Sequence, residues 1–113
     1  MRVLLCGGGT AGDVNPALAI AQTIQRNSPS SEFSYVVTKN GIEKRLVPYK
    51  QFEIYVTGLK RNFSLSNLKT IFLTFRAISE CKRIIKEFKP DIIVGTGGYA
   101  CYPVIYAGHS LGI

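Results

Sequence analysis

At 113 residues and 46% hydrophobic content, the chain has enough apolar material for one small domain with a buried core, and disorder is excluded. Its three cysteines are odd in number and include no C-x-x-C, which excludes a disulfide framework or a zinc site and fits a reducing cytosol. A formal net charge of +7 raises nucleic acid as a partner, but no aromatic-and-basic strand pattern or recognition helix accompanies it, so no nucleic acid is expected.

Arg2–Cys6 reads as a first strand that runs into the glycine-rich turn Gly7-Gly8-Gly9-Thr10-Ala11-Gly12. A helix is predicted from Pro16 to Gln25, with Asn15 as its N-cap and Ala17, Leu18, Ile20, Ala21 and Ile24 as its packing face. After the loop 27–31 come a second strand, Phe33–Val37, and a short helix, Gly41–Leu46, stopped by Pro48. Phe52–Val56 reads as a third strand closed by Thr57-Gly58. A long helix capped by Ser64 or Ser66 extends to about Phe88, where Lys89-Pro90 stops it. Asp91–Val94 is the fourth strand, followed by a second glycine turn, Gly95-Thr96-Gly97-Gly98-Tyr99, and a last helix, Pro103–Leu111. The uncharged stretch Ile92–Leu111 is long enough to span a bilayer, yet its glycines and Pro103 favour strand, loop and helix. The first apolar run is too short for a signal peptide.

Alternating strands and helices predict an α/β domain with a Rossmann-like parallel sheet, whose ligands sit at the carboxyl ends of the strands. Both glycine turns follow strands, so both belong on that edge. Glycine lets main-chain N–H groups approach a ligand closely, and a helix opening behind the turn adds its positive dipole end; together they suit a phosphate. Gly7, Gly9 and Gly12 satisfy G-x-G-x-x-G, a weak signal alone. The second strand ends in Thr38-Lys39-Asn40, and the nearest acid along the chain, Glu32, stands at its other end, which disfavours NAD. No Lys-Ser/Thr pair follows the turn, so ATP is disfavoured further.

Gly7–Gly12, Pro16-Ala17-Leu18-Ala19, Gly41-Ile42-Glu43, Lys89-Pro90-Asp91 and the second glycine turn with Pro103 closely resemble the MurG family of peptidoglycan glycosyltransferases. The resemblance implies a GT-B fold, of which residues 1–113 are the first, incomplete part of the N-terminal, acceptor-side domain, without the donor-binding domain. It implies a metal-independent, cofactor-free, inverting transfer of N-acetylglucosamine from UDP-N-acetylglucosamine to an undecaprenyl-diphosphate-linked muramyl pentapeptide. Gly9, Asn15, Gly97, Gly98 and Tyr99 would then help hold the acceptor, and Thr10, Ala11 and Gly12 would also reach the donor nucleotide sugar. Asp13 stands where the family has histidine. A carboxylate can serve as general base, but an aspartate near a helix start is also a good capping residue, and its charge opposes a diphosphate. A second reading is a non-catalytic, acceptor-binding and membrane-anchoring subunit of a split glycosyltransferase.

The long helix carries a further signal. Ile71, Ile78, Cys81, Ile85 and Phe88 are the stripe expected to face the sheet, which leaves Leu68, Phe72 and Phe75 on a face that turns cationic at Arg76, Lys82 and Arg83. Exposed apolar side chains ringed by cations suit an anionic bilayer surface, whereas a bend in the helix would bury them within the domain. A peripheral location on the cytoplasmic face of the membrane is expected. Tyr102 is a candidate border of the acceptor sugar, His109 a surface or packing residue, and Cys6 and Cys101 small buried fillers.

Overall fold

The computed structural model describes residues 1–8, 11–39, 41–55, 68–98 and 100–113. Its elements alternate: β1 (Arg2–Cys6), α1 (Ala11–Asn27), β2 (Glu32–Thr38), α2 (Glu43–Leu46), β3 (Lys50–Ile54), α3 (Leu68–Phe88), β4 (Ile92–Gly95) and α4 (Cys101–Ser110). Among the described residues the sheet has the order β3-β2-β1-β4, with every pairing parallel. The chain steps outward from β1 to β3 and then returns to β4 on the other side of β1. The direction of winding therefore reverses between β1 and β4, and such a switch point opens a crevice at the carboxyl ends of the strands.

Helices cover both faces, which is why β1 and β2 are apolar without alternation. Leu4, Cys6, Val36 and Ile54 pack under α3 and α4 with Ala77, Cys81, Ile84, Ile85 and Val104. Val3, Leu5, Tyr35 and Val37 point the other way, toward Val14, Ala17 and Ala21 of α1 and toward Val47.

Several boundaries differ from the sequence reading. Helix α1 starts at Ala11 and has Pro16 inside it, so Asn15 is an exposed interior residue rather than the N-cap. The first turn of a helix lacks intrahelical N–H partners in any case, so a glycine-rich stretch can form it, and the proline beyond it forfeits one bond. That start turns α1 so that Val14 joins Ala17 and Ala21 in the core, while Ile20 is exposed. Strand β3 runs Lys50–Ile54 instead of Phe52–Val56, because it pairs residue for residue with Ser34–Thr38. Polar Lys50 and Gln51 are tolerated on a strand that lies at the sheet's edge among the described residues. Strand β4 begins at Ile92, since Asp91 is engaged with Arg2, and ends on Gly95, which pairs with Cys6. Helix α4 opens at Cys101, with Pro103 inside its first turn, where proline is accepted. Ser64, Ser66, Thr57, Gly58, Lys60 and Arg61 lie outside the described residues.

Candidate functional site

The two glycine turns meet at the switch point. A Cβ placed on Gly98 would collide with the Gly8 carbonyl oxygen, and one on Gly97 would come within 2.8 Å of Asp13 Oδ1. Gly97 and Gly98 have φ of 130° and 90°, a region that L side chains rarely adopt, so glycine is required there by conformation as well as by space. Thr96 fastens one turn to the other. Its N–H donates to the Cys6 carbonyl at 3.0 Å, and its hydroxyl donates to the Asp13 carbonyl.

Below this contact, Gly7 and Gly8 are buried and form a floor. The Tyr35 hydroxyl donates to the Gly7 carbonyl, and burial pushes the Tyr35 pKa well above the usual phenol range, so the group stays a donor. Glu43 closes the other side. It is fully buried, its Oε1 accepts from the Thr38 N–H at 2.8 Å and from the Thr38 hydroxyl at 2.6 Å, and it lies against Gly8. Its Oε2 has no hydrogen-bond partner among the described residues. An acid does therefore reach the end of β2, from the segment after the strand and not from Glu32 at its other end. Glu43 arrives through the turn that precedes α2, and it is spent on Thr38 and shut away from solvent, unlike an acid offered to ribose hydroxyls.

Among the described residues the accessible part of the rim is Gly12 and Gly98, both exposed, with Asp13 and Gly97 half-buried. Helices α1 and α4 both begin beside this contact, so two positive dipole ends serve the same rim. The cap residue of α4, Ala100, offers no side-chain hydrogen bond to the first turn. A ligand carrying concentrated negative charge on several oxygens matches such a rim. Asp13 sits in the first turn of α1 as its acidic residue, favourably placed for the dipole, with its carboxylate against Gly97.

Of the residues singled out from sequence, Ala11, Gly12, Asp13, Gly97 and Gly98 are brought to this rim. Asn15 lies exposed further along α1. Gly9, Thr10 and Tyr99 lie outside the described residues. Tyr102 is 82% exposed and His109 is exposed in the last turn of α4. Sequence reasoning missed Tyr35, Thr96 and Glu43 as supports of the turns. Only Glu43 left a trace, as an acid two residues after Gly41 in the Gly41-Ile42-Glu43 stretch that carries the family resemblance.

The glycosyltransferase family 28 N-terminal domain pattern matches residues 3–113. The chain belongs to glycosyltransferase family 28. Across its whole length it is 47% identical to a Leuconostoc mesenteroides protein, and 44% identical to one from Bacillus subtilis. Both are named UDP-N-acetylglucosamine--N-acetylmuramyl-(pentapeptide) pyrophosphoryl-undecaprenol N-acetylglucosamine transferase. The chain spans 32% of the length of each. The crystal structure of Acinetobacter baumannii MurG superposes on 99% of the chain with a TM-score of 0.83 and 31% identity, using 33% of that protein. The parallel α/β sheet of this family 28 domain is therefore that of the N-terminal part of a GT-B glycosyltransferase.

On α3 the exposed face is the one read from sequence: Leu68, Phe72 and Phe75 are 80%, 65% and 68% exposed, while Ala77, Cys81, Ile84, Ile85 and Phe88 are buried. The helix runs unbroken from Leu68 to Phe88, so no bend folds the aromatic residues inward. Arg76 and Arg83 sit 3.9 and 4.0 Å from Glu80 and Glu87, one turn further on, and Lys82 is half-buried. No helix among the described residues is long and apolar enough to cross a membrane.

Proposed function

We propose that the chain is the acceptor-side part of an inverting glycosyltransferase that moves N-acetylglucosamine from UDP-N-acetylglucosamine to undecaprenyl-diphosphate-linked muramyl pentapeptide. The observation that carries this is the backbone contact of two glycine turns where two helices start, in a chain whose relatives bear that transferase name. Main-chain N–H groups of Gly9, Thr10, Ala11, Gly12, Gly97, Gly98 and Tyr99 hold the acceptor's diphosphate, and Asn15, further along α1, assists in binding the acceptor. Thr10, Ala11 and Gly12 also reach the donor nucleotide sugar. The acceptor hydroxyl attacks the anomeric carbon and UDP leaves. Asp13 takes the hydroxyl proton, so charge develops on the leaving diphosphate rather than at the attacking oxygen.

The exposed face of α3 supplies the second half of the reading. Leu68, Phe72 and Phe75 enter the interface of an anionic membrane at its cytoplasmic face, with Lys82 and Arg83 above the lipid phosphates. Attraction is about 1 kcal/mol for each basic residue near the surface. Liposomes containing anionic lipid are expected to retain the protein at low salt and release it at high salt. Retention unchanged after Leu68, Phe72 and Phe75 are all replaced by serine would remove the membrane role.

Transfer of labelled N-acetylglucosamine tests the chemistry. In the full-length protein, Asp13→Ala is expected to lower kcat by about 10²–10⁴-fold, the usual contribution of a general base. An unchanged kcat assigns the proton elsewhere, and no transfer to this acceptor by the unaltered protein ends the reading. Transfer that appears only on mixing with a separate donor-binding polypeptide makes the chain a subunit of a split enzyme.

A further inference from the structure

Cys6 ends β1 and Cys101 opens α4, and both are buried in one core cluster, on either side of Gly95 where the second glycine turn begins. Cys6 is paired in register with Gly95. A Cβ on Gly95 would come 3.3 Å from Cys6 Sγ and 3.4 Å from Cys101 Sγ, so the space a side chain would take there is bordered by both thiols. The two thiols influence each other's ionisation, in opposite directions. The remaining polar neighbours are main-chain atoms: Cys6 Sγ lies 3.7 Å from the Val94 carbonyl oxygen, and Cys101 Sγ lies 3.0 Å from that of Gly97. Neither is in a disulfide, and Cys101 is 8% exposed at the helix start.

We propose that Cys6 and Cys101 form an oxidation site that hydroperoxides close to a disulfide at the root of both glycine turns. This proposal does not depend on the transferase reading. The pair is asymmetric in the way such chemistry uses. Interaction with the Cys6 side chain, aided by the backbone of Gly97 and Thr96, brings the Cys101 thiol down to about 7 against the effect of burial. The same interaction and burial push Cys6 well above the ordinary thiol range. Of the two thiols, Cys101 at the helix start is therefore the one that ionises first, with a neutral thiol beside it. The Cys101 sulfur attacks a peroxide oxygen, the O–O bond breaks, and an alcohol (water, for hydrogen peroxide) leaves after taking up a proton. The sulfenic acid formed is attacked by the Cys6 sulfur; the S–S bond forms, the S–O bond breaks and water leaves with the Cys6 proton. Two thiols and one hydroperoxide thus give one disulfide, one alcohol and one water. Closing to an S–S bond of about 2.05 Å draws the Cys101 sulfur off the Gly97 carbonyl, so the oxidised protein carries an altered second turn.

The third cysteine is an internal control. Cys81 is buried on α3, and burial pushes its thiol up to about 12. The folded protein is treated with hydrogen peroxide at neutral pH, denatured in N-ethylmaleimide, digested without reductant and analysed by mass spectrometry. The expected product links the Cys6 and Cys101 peptides with the loss of two hydrogens, reverts with dithiothreitol, and leaves Cys81 carrying maleimide. In Cys6→Ser the sulfenic acid on Cys101 has no resolving thiol and is expected to accumulate as its dimedone adduct. Three maleimide-labelled cysteines at a peroxide dose that oxidises a free cysteine peptide would overturn the proposal, and so would links that involve Cys81 as often as Cys101. The mapping on the unaltered protein decides the matter even where the serine variant fails to fold.

Discussion

The two ends of this sheet are built from different materials. At the amino ends of the strands, side chains do the joining. Arg2 donates from Nε to the Phe88 carbonyl at 2.7 Å, lies 4.3 Å over the Phe88 ring, and pairs with the Glu32 carboxylate. Its main-chain N–H donates to Asp91 Oδ2 at 2.7 Å, and the Asp91 N–H returns a bond of 2.7 Å to the Arg2 carbonyl. One residue thus ties β1 to β2, to the end of α3 and to the entry of β4. At the carboxyl ends, main chain meets main chain, and the side chains present (Tyr35, Thr96, Glu43) hold the backbone from below. The first end is closed by the bonds Arg2 makes. The second leaves glycine backbone at the surface at Gly12 and Gly98, which suits ligand binding.

Exchanging the material at one end should therefore damage different properties. Gly98→Ala places a methyl against the Gly8 carbonyl at a φ of 90° and pushes the two turns apart. A displacement of about 1 Å at a reacting centre is worth on the order of 10²-fold in rate. In the full-length protein, kcat/KM for glycosyl transfer is expected to fall about 10²-fold or more, while the melting temperature drops by only a few degrees. A variant that loses stability in proportion to activity would erase the distinction between the two ends.

Glu43 is where the outward-facing end depends on a buried carboxyl group. Glu43→Ala removes the acceptor of two Thr38 hydrogen bonds and leaves a void beneath Gly8. Unpaired donors and a cavity together are worth about 2–4 kcal/mol, measured by denaturant unfolding. Glu43→Gln keeps the shape and an acceptor for Thr38, and should retain most of that stability. Equal losses in the two variants would mean that the charge, rather than the fit, is what the site needs.

At the other end Arg2→Ala is expected to cost about 2 kcal/mol. Most of it comes from the charge-assisted bond to Phe88 and the contact with its ring. The ion pair with Glu32 adds little, because both side chains are largely exposed. Transfer measured well below the melting temperature should be unchanged. A large loss of activity at full folding would show that the two ends are coupled through β1.

This division was legible in the sequence to different degrees. The common rim of the two glycine turns follows from connectivity alone, since each comes after a parallel strand. The open face of α3 follows from helical spacing, which leaves Leu68, Phe72 and Phe75 off the stripe of Cys81, Ile85 and Phe88. The start of α1 was obscured because Pro16 is a strong local signal, whereas the turn that Ala11, Gly12 and Asp13 make is decided by packing against the second glycine turn. The span of β3 was set by its partner strand, and local propensity placed it too far along. The role of Glu43 was hidden because a buried carboxylate makes sense only once Thr38 and Gly8 are seen to surround it.

Tyr35 gives the smallest effect and the one that isolates the floor of the carboxyl end. Tyr35→Phe removes only the donor to Gly7, worth about 1 kcal/mol for a buried neutral hydrogen bond. Its signature lies in the pH dependence. The folded protein holds the phenol proton to higher pH than the unfolded chain does, because burial raises the folded pKa. Above about pH 10 the unfolded state therefore binds fewer protons than the folded state, and stability falls as pH rises toward the folded pKa. Urea unfolding between pH 9 and about pH 11 should show the unaltered protein losing stability faster than Tyr35→Phe, so that the difference at neutral pH shrinks. Parallel pH profiles for the two proteins would mean that the hydroxyl reaches solvent, and that the carboxyl end is open beneath Gly7 as well as above it.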